Sequence, residues 1–113
     1  MPSNQTTEIT ILYPSGSDAT FDMKYYLSTH MPLVQEKWGP EGLLAWKVLE
    51  FDGKAGYSVQ ATLEFPDVDT FQKAVNGEAA KAIFGDVPNF SNKQPTLLTG
   101  KVMGEANLHS VGA

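Results

Sequence analysis

Hydrophobic residues follow a strand-like pattern in four stretches of the chain and recur at helical spacing in two others. Alternation indicates a strand with one buried face, and spacings of three and four residues indicate an amphipathic helix. The predicted strands are 6–13, 43–51, 57–65 and 96–103, and the predicted helices are 21–38 and the segment after Asp67. This order predicts an α+β fold of the ferredoxin-like βαββαβ type, with a four-stranded antiparallel sheet.

Capping and turn residues mark the boundaries of these elements. Thr20 is the predicted N-cap of the first helix, and Gly39-Pro40 ends it. Asp67 is the predicted cap of the second helical segment, and Asn76-Gly77 predicts one helix that breaks or two short ones. Residues 85–95 are predicted to form a long loop, and 104–113 a flexible tail.

The first helix carries a histidine where its pattern predicts burial. At about 100° per residue, His30 falls near the middle of the apolar face. Pro32 removes the helical partner of the Ser28 carbonyl and predicts a kink near Thr29. We expect His30 to lie between the helix and the sheet, one turn after Tyr26. The residues predicted to share this face are Met23, Tyr26, Leu27, Val34 and Trp38.

A ferredoxin-like domain covers only one face of its sheet with helices. The other face is predicted to carry Leu12, Leu44, Trp46 and Val48. An apolar sheet face of this kind requires a partner, so the sequence predicts a homodimer in which two sheets pair into a barrel.

Composition narrows the possible functions. The 113 residues form one predicted domain, 1–113, with its core at about 7–103. The chain has no cysteine, and its two histidines are His30 and His109, so neither a thiolate nucleophile nor a built-in metal site is favoured. A net charge of −5 with scattered lysines and no arginine argues against nucleic-acid binding. No stretch is apolar enough to span a membrane, and the polar N-terminus predicts no secretory signal, so we expect a cytoplasmic protein.

Several of these residues together resemble the EthD family of dimeric α+β barrels. The resemblance covers about residues 9–102. The histidine followed two residues on by proline is common to several groups of such barrels, whereas the aspartate and the Asn-Phe loop before the last strand narrow it to EthD. The matching motifs are Tyr13-Pro14, Phe21-Asp22, Tyr25-Tyr26, His30-Met31-Pro32-Leu33, Gly56-Tyr57 with Phe65, and Asp86 with Asn89-Phe90.

The resemblance implies a small enzyme that needs no cofactor and acts on a hydrophobic aromatic or polyketide-like molecule, as a monooxygenase, isomerase or cyclase. Carried over, the helix histidine is His30 and the loop acid is Asp86. His30 would act as the base, Asp86 would orient it, and Tyr26 would donate a hydrogen bond to a developing oxyanion. The residues that match as pocket walls are Tyr26, Trp46, Tyr57 and Phe90, and the last three are the predicted substrate contacts.

Structural alternatives stand beside each of these roles. His30 could be a core histidine whose ring nitrogens are satisfied, and Asp86 could be a turn or cap residue before Pro88. Ser28 is two positions from His30 and so points to another side of the helix, which disfavours a Ser-His-Asp hydrolase. The alternative function is a non-catalytic protein that binds a small hydrophobic molecule or assists a separate degradation oxidase.

Overall fold

The computed structural model describes residues 6–108. Its strands are β1 (Thr7–Pro14), β2 (Ala45–Glu50), β3 (Tyr57–Phe65) and β4 (Thr96–Lys101). Its helices are α1 (Met23–Tyr25), α2 (Met31–Trp38), α3 (Val68–Val75) and α4 (Glu78–Gly85). A π-helical segment, Tyr26–His30, joins α1 to α2 without a break.

The sheet confirms the predicted ferredoxin-like fold. Its four strands lie in the order β2-β3-β1-β4, and each neighbouring pair is antiparallel. The central strands β1 and β3 place Ile9 opposite Leu63 and Ile11 opposite Ala61. Because opposite residues in an antiparallel pair point to the same face, these side chains share the face that the helices cover.

The core lies between this face and the helices. Ile9, Leu63 and Phe65 from the sheet are no more than 1% exposed, and they form one apolar cluster with Met31 and Phe71 from the helices. The other face carries Leu12, Leu49 and Leu98, and the last two are 42% and 53% exposed. The prediction of one covered face and one open face with apolar residues is therefore confirmed.

The prediction that Trp46 and Val48 lie on the open face with Leu12 is wrong. Trp46 pairs with Leu63, and Val48 pairs with Ala61, so both point to the helix side. Leu12 pairs with Gln60 and points to the opposite side. The connection from β2 to β3 sets this register, and a shift by one residue exchanges the two faces of a strand.

Two details of the first helix also differ from the sequence pattern. Asp22, rather than Thr20, is the N-cap, and its Oδ1 accepts a hydrogen bond of 3.0 Å from the backbone N–H of Tyr25. Leu27 is 45% exposed rather than buried. It lies within the π-helical segment, where side chains depart from the 100° spacing on which the prediction rested.

The second helical segment divides as expected. The Asp67 side chain caps α3 by accepting a 2.8 Å hydrogen bond from the Thr70 N–H, and Asn76-Gly77 separates α3 from α4. Residues 102–108 contain no regular structure, and the rest of the predicted tail, with His109, lies outside the described residues. None of the helices in the described part of the chain has the length and apolar character that crossing a bilayer requires.

Candidate functional site

The π-helical segment determines which side chains of the first helix come together. Within it, the Met31 N–H donates to the Tyr26 carbonyl five residues earlier. Pro32 follows directly, and its ring would crowd the carbonyl four residues before it in a regular α-helix. In an α-helix, residues five apart are separated by about 140° around the axis. The wider turn brings Tyr25 and His30 towards the same side.

His30 is paired with the carboxylate that the resemblance implied. Its Nδ1 lies 2.9 Å from Oδ2 of Asp86, and the two side chains are 5% and 11% exposed. A carboxylate accepts hydrogen bonds, so the neutral ring carries its proton on Nδ1 and has its lone pair on Nε2. Among the described residues, no group hydrogen-bonds Nε2. Within the described part of the chain, the pair therefore presents a basic nitrogen without a partner.

Asp86 is itself held by two further donors. The Tyr25 hydroxyl donates to Oδ1 at 2.7 Å, and the Asn89 side-chain amide donates to the same oxygen at 2.8 Å. Asp86 also forms the C-cap of α4, immediately before a 3₁₀ turn at Val87–Asn89. The cap position that was the structural alternative for Asp86 is thus combined with the contact to His30.

The loop after α4 is fixed to the start of the first helix. The Asp22 N–H donates to the Phe90 carbonyl at 2.8 Å, and the Thr20 N–H donates to Oδ1 of Asn92 at 2.8 Å. Phe21 and Ser91 form an isolated antiparallel bridge. These contacts hold Asp86 against the helix, so the carboxylate is in place before any ligand arrives.

Aromatic rings surround the imidazole. Tyr26 stacks on His30 with ring centroids 5.2 Å apart and an interplanar angle of 12°. Phe90 packs on the same ring at 4.5 Å. The Tyr13 ring packs edge to face on the Tyr26 ring, with centroids 5.8 Å apart, a contact that sequence reasoning missed. Burial raises the pKa of both tyrosines, so both hydroxyls stay protonated at neutral pH.

Burial and hydrogen bonding act in opposite directions on the dyad. Burial lowers the pKa of His30 below its usual value of 6.5, and this outweighs the hydrogen bond and charge of Asp86, which raise it. Burial raises the pKa of Asp86, but the hydrogen bonds from Asn89, Tyr25 and His30 outweigh it and leave the pKa below the usual value. At neutral pH the pair is therefore a neutral imidazole beside a carboxylate, which is the state of a general base.

His30 and Tyr26 line a narrow apolar cavity between the helices and the sheet. The space open to the centre of a water molecule is about 20 Å³, which is room for about one water molecule. Phe84 and Leu97 line the cavity and are each 38% exposed. The other lining residues come from all layers of the fold and are Ile9, Ile11, Tyr13, Met31, Val34, Trp38, Leu63, Phe71, Ile83, Val87 and Pro95.

None of the three residues predicted as substrate contacts lines this cavity. Phe90 contacts the His30 ring but does not line the cavity. Trp46 donates from Nε1 to Oε1 of Gln35 at 3.0 Å, near the start of β2. Tyr57 is 39% exposed and lines a separate open groove beside Leu12. Their assignment as substrate contacts stays a prediction.

Tyr25 and Asn89 were missed as supports of Asp86. Both lie in motifs on which the EthD resemblance rests, but helical spacing places Tyr25 away from His30, and only the π-helical segment brings them together. Ser28, the rival nucleophile, is exposed, and its hydroxyl lies 3.4 Å from that of Thr29. Within residues 6–108, no three His, Asp or Glu side chains gather into a group that could hold a metal ion.

Comparisons with known proteins support the fold. No protein-family model matches the chain, and no curated protein matches it. Among solved structures, an EthD-like protein from Ralstonia eutropha superposes with a TM-score of 0.78 at 22% identity, covering 92% of this chain and 97% of that one. An ethyl tert-butyl ether D (EthD) family protein from Bacillus halodurans gives a TM-score of 0.67 at 24% identity, covering 87% of this chain and 99% of that one.

A further solved structure with this fold is SnoaB, described as a cofactor-independent oxygenase, from Streptomyces nogalater. It superposes with a TM-score of 0.60 at 13% identity, covering 94% of this chain and 98% of that one. The predicted resemblance to EthD-like proteins is thus confirmed at the level of the fold.

Proposed function

We propose that this protein is a small enzyme that removes a proton from a hydrophobic aromatic or polyketide-like molecule and needs no cofactor to do so. His30 is the base, Asp86 orients it, and Tyr26 donates a hydrogen bond to the oxyanion that forms. The observation that carries the proposal is the orientation of His30. Nδ1 is fixed by Asp86 at 2.9 Å, while Nε2 is unpartnered among the described residues and the ring lines an apolar cavity.

The chemistry follows from that geometry. Nε2 takes a proton from an acidic C–H, and the carbanion delocalises its charge onto a conjugated oxygen. With dioxygen as co-reactant, an anthrone CH₂ group becomes a carbonyl. The carbanion adds O₂, the resulting peroxide loses water, and one anthrone plus one O₂ gives one anthraquinone plus one H₂O. An isomerase or cyclase would use the same first step and return the proton to another atom.

Entry of such a molecule requires movement at the cavity mouth. A cavity of about 20 Å³ does not hold an aromatic ring. Phe84 and Leu97 are both partly exposed lining residues, so displacement of these two side chains is the least costly way to admit a ring. Substrate binding therefore includes repacking of Phe84 and Leu97.

We also propose that the protein is a homodimer joined through the open sheet face. Leu49 and Leu98 project from that face and are 42% and 53% exposed. Apolar residues grouped on one sheet face are stabilised when a second copy covers them. This assignment is independent of the chemistry at His30.

Oxygen uptake with anthrone tests the enzymatic proposal. We expect the wild-type protein to form anthraquinone with one O₂ consumed per anthrone, and His30→Ala to lose about 10²–10⁴-fold in rate, the usual contribution of a general base. Ser28→Ala, on the exposed side of the same helix, is the matched control and should keep full activity.

The second candidate function is a binding or accessory protein, and the small volume of the cavity favours it. It predicts that wild type and His30→Ala bind anthrone equally and that neither turns it over. Unfolding curves of both variants distinguish loss of chemistry from loss of fold. Equal turnover by folded His30→Ala and wild type would contradict the role of His30 as base.

A further inference from the structure

One buried polar group of the core lies outside the His30–Asp86 pair and lacks a hydrogen-bond partner among the described residues. Among the side chains of residues 6–108, Nε1 of Trp38 is the buried nitrogen without a hydrogen-bond partner. The Trp38 side chain is 2% exposed, so water outside the protein does not reach it. A buried donor without a partner costs about 1–3 kcal/mol, and proteins seldom retain one without a reason.

Trp38 also lines the cavity that His30 lines. It is eight residues beyond His30 on the same helix, which corresponds to about 12 Å along the axis. The side chains between them in the lining, Met31 and Val34, are apolar. The cavity lining therefore includes the His30 ring, the Trp38 indole whose N–H has no partner among the described residues, and hydrocarbon side chains between them.

Aromatic rings fix the indole in place. Phe65, Phe71 and Phe84 pack on it edge to face, with ring centroids 6.0, 6.2 and 6.1 Å away. Phe84 also lines the cavity. Displacement of Phe84 by an entering ligand would leave the rest of this aromatic packing in place.

We propose that Trp38 is a specificity-determining residue whose indole N–H donates to a carbonyl oxygen of the ligand, on the side of the ligand opposite the carbon that loses its proton to His30. The inference rests on the proposed function and narrows its substrate class to aromatic ketones with the carbonyl across a ring from the acidic C–H. Anthrone has this arrangement, because its CH₂ group and its carbonyl lie on opposite sides of the central ring.

The contact has a chemical consequence. Loss of the proton makes the carbonyl oxygen an enolate oxygen, which is a stronger hydrogen-bond acceptor than the ketone. A donor at Trp38 would thus stabilise the carbanion more than the ketone. It would also select against hydrocarbons of the same outline, since these leave the indole N–H unpaired.

A pair of ligands matched in outline tests the contact by binding, without turnover. Anthrone and 9,10-dihydroanthracene differ in one carbonyl and can be titrated under nitrogen. In Trp38→Phe, we expect the ratio of the two affinities to move about 2- to 10-fold towards dihydroanthracene, the range of one neutral hydrogen bond. Ser28→Ala is the control, because Ser28 is exposed on the first helix, and the ratio should not change there.

Spectra of the wild-type protein supply a test that needs no core substitution. The chain has two tryptophans, so ¹⁵N labelling gives two indole N–H signals, which Trp46→Phe assigns. We expect anthrone to move the Trp38 signal downfield and dihydroanthracene to leave it without that shift.

Three results would overturn the inference. They are an unchanged affinity ratio in folded Trp38→Phe, a Trp38 signal that responds alike to both ligands, and absence of binding by anthrone. The first two would mean that the N–H is directed at a ring face or at water only. The proposed function is tested separately, because oxygen uptake that depends on His30 can be observed even if Trp38 does not contact the ligand.

Discussion

Replacement of Asp86 by asparagine tests the arrangement of the site most directly. The change keeps the shape of the side chain but replaces one acceptor oxygen by an NH₂ donor. If that group faces His30, it meets the Nδ1–H and forces the ring into the other tautomer, in which Nε2 carries the proton and cannot act as a base. If it faces the other way, it meets the donors Tyr25 and Asn89 instead.

The expected magnitude follows from the three hydrogen bonds. They are 2.7 Å from Tyr25, 2.8 Å from Asn89 and 2.9 Å from His30. A hydrogen bond to a charged group contributes about 1.5–3 kcal/mol and one to a neutral group about 0.5–1.5 kcal/mol. Allowing for the partial exposure of Asp86, we expect Asp86→Asn to lower the free energy of unfolding by about 1–3 kcal/mol and the Tm by roughly 4–12 °C.

The assay with the clearest sign is titration of the His30 ring by NMR. Burial lowers the His30 pKa, and Asp86 partly restores it. We therefore expect a His30 pKa below 6.5 in the wild type, and a still lower pKa in Asp86→Asn. Asp52→Asn is the matched control, because Asp52 is exposed and the hydrogen bond that it accepts from the Lys54 N–H suits an amide oxygen equally well.

The result that would refute this reasoning is a His30 pKa that stays the same or rises in Asp86→Asn. A rise would mean that the substitution exposes the His30 ring to water, and that this gain outweighs the loss of the carboxylate. An unchanged value, together with unchanged ¹⁵N shifts of the two ring nitrogens, would mean that the two side chains do not interact in solution.

Three further expectations follow from the same geometry. Tyr25→Phe removes a donor that lowers the Asp86 pKa, so that pKa should rise in a carboxyl ¹³C titration while turnover falls less than in Asp86→Asn. The pKa of His30 is lower in the folded than in the unfolded chain, so the unfolded chain binds a proton first as the pH falls, and the free energy of unfolding should decrease below about pH 6.5. Urea unfolding at pH 7.5 and 5.5 should show this decrease in the wild type and a smaller one in His30→Gln. Leu98→Asp places a charge on the open sheet face and should give a folded monomer by light scattering, whereas a wild-type protein that is already monomeric would contradict the proposed dimer.

The sequence predicted the fold well wherever a local pattern and the tertiary structure agree. Tyr57–Phe65 was predicted with the bounds that β3 has, because apolar residues alternate along its whole length. The order of elements and the break at Asn76-Gly77 followed from equally local signals. The contact between His30 and Asp86 was expected from the resemblance rather than from spacing, since the two residues are 56 positions apart.

The features that the sequence did not predict depend on tertiary geometry, which a local sequence pattern does not encode. The face to which Trp46 and Val48 point is set by the pairing of β2 with β3, and a single added or removed turn residue would reverse it. Tyr25 joins the site because the helix is locally wider than an α-helix, and a fixed angle per residue conceals this. That the Trp38 N–H has no partner among the described residues depends on the packing of three helices and a sheet.

The π-helical segment can also be regarded as an α-helix that has accepted one surplus amino acid. Ser28 and Thr29 lie within it and are exposed, so excising either one would remove the surplus without emptying the core. Tyr25 and His30 would then stand four positions apart in a regular α-helix, about 40° around the axis, and so would still lie on one side. The shortened chain would keep both side chains facing Asp86, so relatives that lack the surplus residue would share the chemistry as well as the architecture.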